Sequence, residues 1–236
     1  MPSKTAHTIR PATPADLPQI IAIMNHYIAH TVISLRMDAL TLTDYEGIFS
    51  SVRAQGLPFF VTETPSRGHE AQVTGEEGEG EEGETGKKVT GFAYAHGFRP
   101  TYTGYRHTAE ITIYVHPSYH SQGVGTLLMD TLMGALRATN SSSSSSPPSP
   151  STNSSTSPSP NPSPDSSTSP IDANEHTPPI KQVLSLMSLN EDGPNGGWGL
   201  RDWYARWGFE QIGHMKRVGY KFGRWVDVVM MQVSLE

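Results

Sequence analysis

The sequence contains no cysteine. Disulfides, thiolate zinc sites and a cysteine nucleophile are therefore excluded. There is also no run of about 18 apolar residues, the minimum for a helical membrane span. The opening MPSKTAHTIRP has no apolar stretch of the kind a secretory signal needs. Charged residues are scarce, at 17% of 236, and apolar residues make only 35%. No segment gathers basic residues, so no nucleic-acid footprint is expected. These absences predict a cytoplasmic protein that engages neither membrane nor nucleic acid.

The charge that is present sits unevenly. Residues 75–86 read GEEGEGEEGETG, with six Glu and no basic residue; those six equal the whole formal charge of −6. A second biased band, mostly Ser, Pro, Thr and Asn, covers 139–179. Neither composition offers enough apolar surface to offset the entropy of ordering the chain. The expectation is a single domain over 8–233 with two disordered insertions, 64–88 and 139–179. Ser-Pro steps at Ser157, Ser159, Ser163 and Ser169 make the second band a candidate kinase substrate.

The rest of the chain alternates strand and helix patterns. A first strand ends at Pro11. Thr13 then caps a helix with Pro14 at its first position and Asp16 at its third. Leu17, Ile20, Ile21, Met24, Tyr27 and Ile28 give that helix one buried face. A second helix is predicted from Thr43, with Glu46 completing a capping box and Ile48, Phe49 and Val52 as its stripe. Strands follow at 57–63 and 89–98, read as an antiparallel hairpin, and at 108–115. A helix covers 126–137, a strand 181–189, a short helix 200–207, and strands 209–215 and 226–233 close the chain around a turn at 220–225. This order predicts an α+β fold with one mixed, mostly antiparallel sheet flanked by helices.

The segment YVHPSYHSQGVGTLLMD, residues 114–130, carries the most information. A strand ends, a polar loop holds Gly123 and Gly125, and an apolar helix begins. Glycines allow backbone N–H groups to approach a ligand, and the helix start adds unpaired N–H groups and a positive dipole end. Such a loop suits a pyrophosphate; two glycines forming a tight turn is the simpler alternative. It is neither a Walker A motif nor a Rossmann fingerprint. His116 and His120 are four apart across Pro117, no third ligand follows at metal spacing, and no metal is expected.

This block resembles motif A of the GNAT superfamily of acetyl-CoA-dependent N-acetyltransferases, Arg/Gln-x-x-Gly-x-Gly/Ala. It reads His120-Ser121-Gln122-Gly123-Val124-Gly125, with His in the place of the usual Arg or Gln. Asn25-His26-Tyr27, Tyr105-Arg106-His107-Thr108-Ala109-Glu110, Tyr114-Val115-His116-Pro117 and the run from Val218 to Val229 (VGYKFGRWVDVV) resemble the phosphinothricin N-acetyltransferase family. The resemblance implies a GNAT fold, acetyl-CoA as co-substrate, a homodimer, and transfer of acetyl to the amino group of a small amino-acid-like acceptor by direct attack. Alternatives are another amine, such as a polyamine or a protein N-terminus, or a non-catalytic acetyl-CoA-binding scaffold.

By the same resemblance, the backbone at Ile113, Tyr114 and Val115 lines the pantetheine arm, and residues 120–125 with Thr126 hold the diphosphate. Glu110 stands at the general-base position; its strand neighbours Ile111 and Ile113 are core-like, although a solvent-facing Glu is the plainer alternative. Tyr204 stands where the superfamily places a tyrosine that protonates the leaving thiolate, and packing beside Trp203 and Trp207 is the other reading. An acceptor carboxylate needs a cation, and Arg36, Arg99, Lys221 and Arg224, with Tyr105, are the candidates.

Overall fold

The computed structural model describes residues 7–64, 87–142 and 178–235. The first strand, β1 (Thr8–Pro11), leads into a 3-10 turn (Pro14–Asp16) and helix α1 (Leu17–His30). The Asp16 carboxylate accepts from the Thr13 N–H at 2.7 Å. The predicted cap therefore opens the 3-10 turn, and the helix proper starts at Leu17. α1 buries Leu17, Ile20, Ile23, Met24, Tyr27 and Ile28. Ile23 takes the inward position expected of Ile21, which is half-buried.

Helix α2 (Leu42–Ala54) corrects the expected start. Its capping box is Thr41 with Asp44, not Thr43 with Glu46. The Asp44 N–H donates to the Thr41 hydroxyl at 3.2 Å, and the Asp44 carboxylate accepts from the Thr41 N–H at 2.9 Å. Both pairs have the required spacing. The buried stripe of α2 is Tyr45, Phe49 and Val52, while Ile48 is half-buried.

The remaining elements are β2 (Phe59–Thr64), β3 (Lys88–Gly97), β4 (Thr108–Val115), α3 (Val124–Ser142), β5 (Gln182–Ser188), α4 (Gly199–Ala205), β6 (Glu210–Lys221) and β7 (Arg224–Ser234). The expected insertions at 64–88 and 139–179 lie mostly outside the described residues. Their edges belong to ordered elements, with Thr64 in β2, Lys88 in β3 and 139–142 in α3. Lys87 bonds Glu63 at 2.6 Å and ties the ends of β2 and β3 together. The expected turn at 220–225 is also shorter. β6 runs to Lys221 and β7 starts at Arg224, leaving Phe222-Gly223 as a two-residue loop with both φ angles positive, as tight hairpins demand.

Among the described residues the seven strands form one sheet in the order β1-β2-β3-β4-β5-β7-β6. Every neighbouring pair is antiparallel except β4–β5. The α+β reading and its mixed, mostly antiparallel sheet are thus the observed architecture. Alternation along β3 and β4 sends their side chains to opposite faces. Phe92 and Tyr114 meet Tyr45 of α2 and Tyr27 of α1 in ring contacts at 6.2 and 5.1 Å. Gly91 and Val115 face α3 instead.

Gly91 explains how closely α3 lies on the sheet. A Cβ there would stand 2.9 Å from the Tyr114 carbonyl oxygen, 2.9 Å from Val124 and 3.0 Å from Leu128. The start of α3 therefore rests on bare β3 backbone. Gly91→Ala is expected to cost about 1–3 kcal/mol, read as a lower denaturation midpoint with an unchanged m-value. A variant as stable as the parent would show that this approach is not a real constraint.

Candidate active site

β4 and β5 pair over three positions only: Thr108 with Gln182, Ala109 with Val183 and Glu110 with Leu184. Beyond Glu110 the strands part. β4 remains bonded to β3 through Val115, and β5 to β7 through Ser188. Residues 111–115 therefore present one strand edge without a strand partner. Backbone polar groups need partners, so this edge leaves N–H and C=O groups open to solvent or to a ligand.

A groove of about 410 Å³ runs along that edge. Ile113, Tyr114, Val115, His120, Ser121, Gly123, Val124, Gly125 and Thr126, nine of the ten residues predicted for the coenzyme, line it. Gln122 is the exception. Its side-chain amide turns back to the Ser118 carbonyl at 3.0 Å and is taken up by the loop itself. The first helical bond of α3 runs from Leu127 N–H to Gly123 O at 3.0 Å. The amides of Val124, Gly125 and Thr126 are thus free of acceptors within the helix. Ser121 and Gly123 adopt φ of 60° and 86°, the left-handed turn that lifts the chain onto the helix. A Cβ at Gly125 would reach Trp203 at 3.5 Å and Val115 at 3.6 Å, across the groove mouth.

Tyr27 is a groove residue that pattern reading placed only on the buried face of α1. Its hydroxyl lies 2.5 Å from the Val115 carbonyl oxygen and 2.6 Å from His120 Nε2. It ties α1, the end of β4 and the loop into one unit. The only available signal was its place in the Asn25-His26-Tyr27 block. Trp203 is a second such residue. The helix that carries it, α4, is docked on α3 by a 2.7 Å bond from Trp207 Nε1 to Asp130.

Where the strands part, a second cavity of about 200 Å³ opens. Glu110, Thr112, Ser185, Ser188 and Tyr204 supply its polar groups. It shares Ile33, Ile113, Tyr114 and Leu200 with the groove, so the two adjoin. The two residues predicted for catalysis are thus brought to one cavity. Burial raises the Glu110 carboxyl above its usual range, opposed in part by the charge of His96, its cross-strand partner. Burial also pushes the Tyr204 hydroxyl up to about 12.

The loop between α1 and α2 covers this cavity through Ile33. Asn25 pins the loop, accepting from Leu40 N–H at 2.7 Å and donating to Leu40 O at 3.0 Å. Lys221 pins it from the other side, donating to Ser34 O at 2.7 Å. Lys221 is 2% exposed, and burial lowers its pKa. Lys221 itself lines neither the groove nor this cavity, and the other predicted acceptor residues are not gathered here either. Arg36 is exposed and 4.0 Å from Asp44. Arg224 is engaged by Asp192 at 2.9 Å. Arg99 stacks over Phe98. Tyr105 lines a separate cavity of about 190 Å³ with Phe98, Pro100 and Tyr102. Cation geometry depends on tertiary placement, which residue type alone does not report.

Residues 63–144 match the model of the Acetyltransferase (GNAT) family. The chain is 26% identical over 233 residues to a phosphinothricin N-acetyltransferase of Alcaligenes faecalis, covering 99% of this chain and 85% of the relative. It is 26% identical over 230 residues to an L-methionine sulfoximine/L-methionine sulfone acetyltransferase of Pseudomonas paraeruginosa, covering 97% and 95%. Among solved structures, the GNAT superfamily phosphinothricin acetyltransferase of Sinorhizobium meliloti, in complex with acetyl-CoA, superposes with a TM-score of 0.64 at 22% identity, covering 97% of this chain and 88% of that one. The fold is the GNAT fold.

The raised Glu110 carboxyl has a consequence for stability. Between the ordinary and the raised pKa the folded state holds a proton that the unfolded state has released. Stability therefore falls as pH rises through that window, and the full penalty is present above it. Glu110→Gln carries no such penalty. Its melting temperature is expected to exceed the parent's at pH 7.5, with the gap closing toward pH 4. A variant less stable than the parent at pH 7.5 would contradict a desolvated carboxylate.

Proposed function

We propose that this chain transfers acetyl from acetyl-CoA to the amino group of a small amino-acid-like acceptor by direct attack, a reading supported by the GNAT family match over residues 63–144 and by the names of its relatives. The observation that carries this reading is that the groove and the Glu110 cavity adjoin along the unpaired edge of β4, sharing Ile113 and Tyr114 as lining. A long coenzyme fits the groove and an amine fits the cavity, meeting at Ile113 and Tyr114.

The residues present suit acetyl-CoA. The free amides of Val124, Gly125 and Thr126, with Ser121 and His120, would hold its diphosphate, and the β4 edge would hold its pantetheine arm. Bound there, it supplies the activated acyl group. Glu110 accepts the proton of the incoming ammonium, a role for which a carboxyl raised by burial is suited. Tyr204 keeps its proton at neutral pH. A phenol near 12 is a weaker acid than a thiol of about 8.5, so its part is to donate a hydrogen bond to the developing thiolate rather than to surrender the proton outright.

Relatives named for phosphinothricin and for methionine sulfoximine and sulfone support an acceptor bearing both an amine and a carboxylate. Lys221 is the cation we assign to that carboxylate. It is buried, next to the loop that covers the cavity, and its Nζ has donors to spare beyond the bond to Ser34. The homodimer reading is supported by the edge hairpin β6–β7, where Val218, Tyr220, Phe222 and Trp225 are all more than half exposed.

A steady-state panel of phosphinothricin, methionine sulfoximine, methionine sulfone, simple alkylamines and spermidine tests the function. Turnover of at least one amino-acid analogue is expected, with poor use of the other amines. Glu110→Gln should lower kcat/KM by about 100-fold near neutral pH. Lys221→Met should raise KM for the amino-acid analogues while acetyl-CoA affinity holds. Efficient turnover of spermidine alone would overturn the acceptor class, and tight acetyl-CoA binding with no turnover of any amine would favour the scaffold reading.

A further inference from the structure

Along β5, Val183, Ser185 and Met187 point to one face of the sheet, and Leu184, Leu186 and Ser188 to the other. Val183 and Met187 belong to the apolar core, and Ser185 stands between them at 1% exposure. A buried hydroxyl costs stability unless it is hydrogen-bonded. Packing alone would be served there by Ala or Val. The register shows what the hydroxyl can meet. Leu184 makes the last ladder pair with Glu110, so Ser185 is the first β5 residue past the point where the strands part. Its ladder partner on β7 is Met231, whose thioether is at most a weak acceptor.

The polar partner comes from α4. Tyr204 is 4% exposed and lines the same cavity of about 200 Å³ as Ser185. Ring contacts with Trp203 at 5.1 Å and Phe209 at 5.3 Å hold the phenol in place. A side-chain hydrogen bond joins Tyr204 to Ser185, and it opposes the rise that burial imposes on the phenol. A hydroxyl that donates to a phenol oxygen favours the ionised form in this way. A phenol that accepts from Ser185 keeps its own proton for another acceptor.

We propose that Ser185 is a positioning residue for acetyl transfer: its hydroxyl donates to the Tyr204 oxygen, so that the Tyr204 proton is turned into the cavity, toward the sulfur that departs with the electron pair of the broken acyl bond. The proposal rests on the reading of Tyr204 given above. Ser185 acts through Tyr204. A donor already aimed at the developing charge needs no reorganisation when that charge appears.

Two measurements test this. Fluorine NMR of the full chain carrying 3-fluorotyrosine reads the bond without turnover, with the Tyr204 signal identified by its loss in Tyr204→Phe. In Ser185→Ala that signal should titrate higher than in the parent by roughly half to one pH unit. In Ser185→Thr, which keeps the hydroxyl, it should titrate near the parent's value. The second measurement is steady-state turnover of the best amine in the panel above. Ser185→Ala should lower kcat roughly three- to tenfold while both KM values hold, and Ser185→Thr should recover most of the loss. In a Tyr204→Phe background, Ser185→Ala should cost nothing further, because the two residues act as one unit. An unmoved Tyr204 titration in Ser185→Ala, or an equal fold-loss in both backgrounds, overturns the proposal and leaves the acetyl-transfer reading standing. Parental kcat in Tyr204→Phe overturns the proposal together with the role given to Tyr204. No turnover of any amine, in a chain that melts cooperatively, overturns the acetyl-transfer reading and the proposal with it.

Discussion

The brevity of the β4–β5 ladder organises the molecule. Three residue pairs join the two strands, and then each follows a different partner. On one side, β1 to β4 are packed by α1 and α2 over one face and α3 over the other. On the other side, β5, β7 and β6 form a separate antiparallel ribbon. Neither set can close the gap without giving up its own ladder. The wedge between them therefore persists as groove and cavity, and both candidate catalytic groups stand on its walls.

The wedge would be a liability if its backbone were merely exposed. Tyr27 caps the far end by bonding the Val115 carbonyl, and the Asn25–Leu40 amide pair holds the covering loop in place. Beneath Glu110 the face of β3 and β4 is aromatic. Phe92 lies near Phe59, Tyr94 and Tyr114 in successive ring contacts of 5.7 to 6.4 Å. This dry layer raises the hydroxyls of Tyr94 and Tyr114 as well as the Glu110 carboxyl. The same packing that stabilises the sheet thus sets the protonation chemistry of the cavity. The charge clamp of Arg10 with Asp16 and Glu63 lies at the other end of the sheet, where it fastens β1 to β2 beside the opening of the 64–88 connection.

Much of this was legible in the chain. Periodicity of 3–4 identified α1, alternation identified β4, and the G-V-G loop marked the place where a strand gives way to the apolar helix α3, expected over 126–137 and observed over Val124–Ser142. These features depend on neighbours within a few residues, so local physics suffices to specify them. Pattern reading erred where two local solutions were equally good. Thr41-Asp44 and Thr43-Glu46 both have the capping-box spacing, and spacing alone does not choose between them.

Tertiary structure alone decided the rest. The parallel pairing of β4 with β5, and its end at Glu110, joins segments more than seventy residues apart. Tyr27 meets His120 across 93 positions, and Lys221 meets Ser34 across 187. No local pattern encodes such meetings. They exist because the core residues of separate elements can be buried together in only one arrangement, and the polar groups at its margins take whatever partners that arrangement supplies.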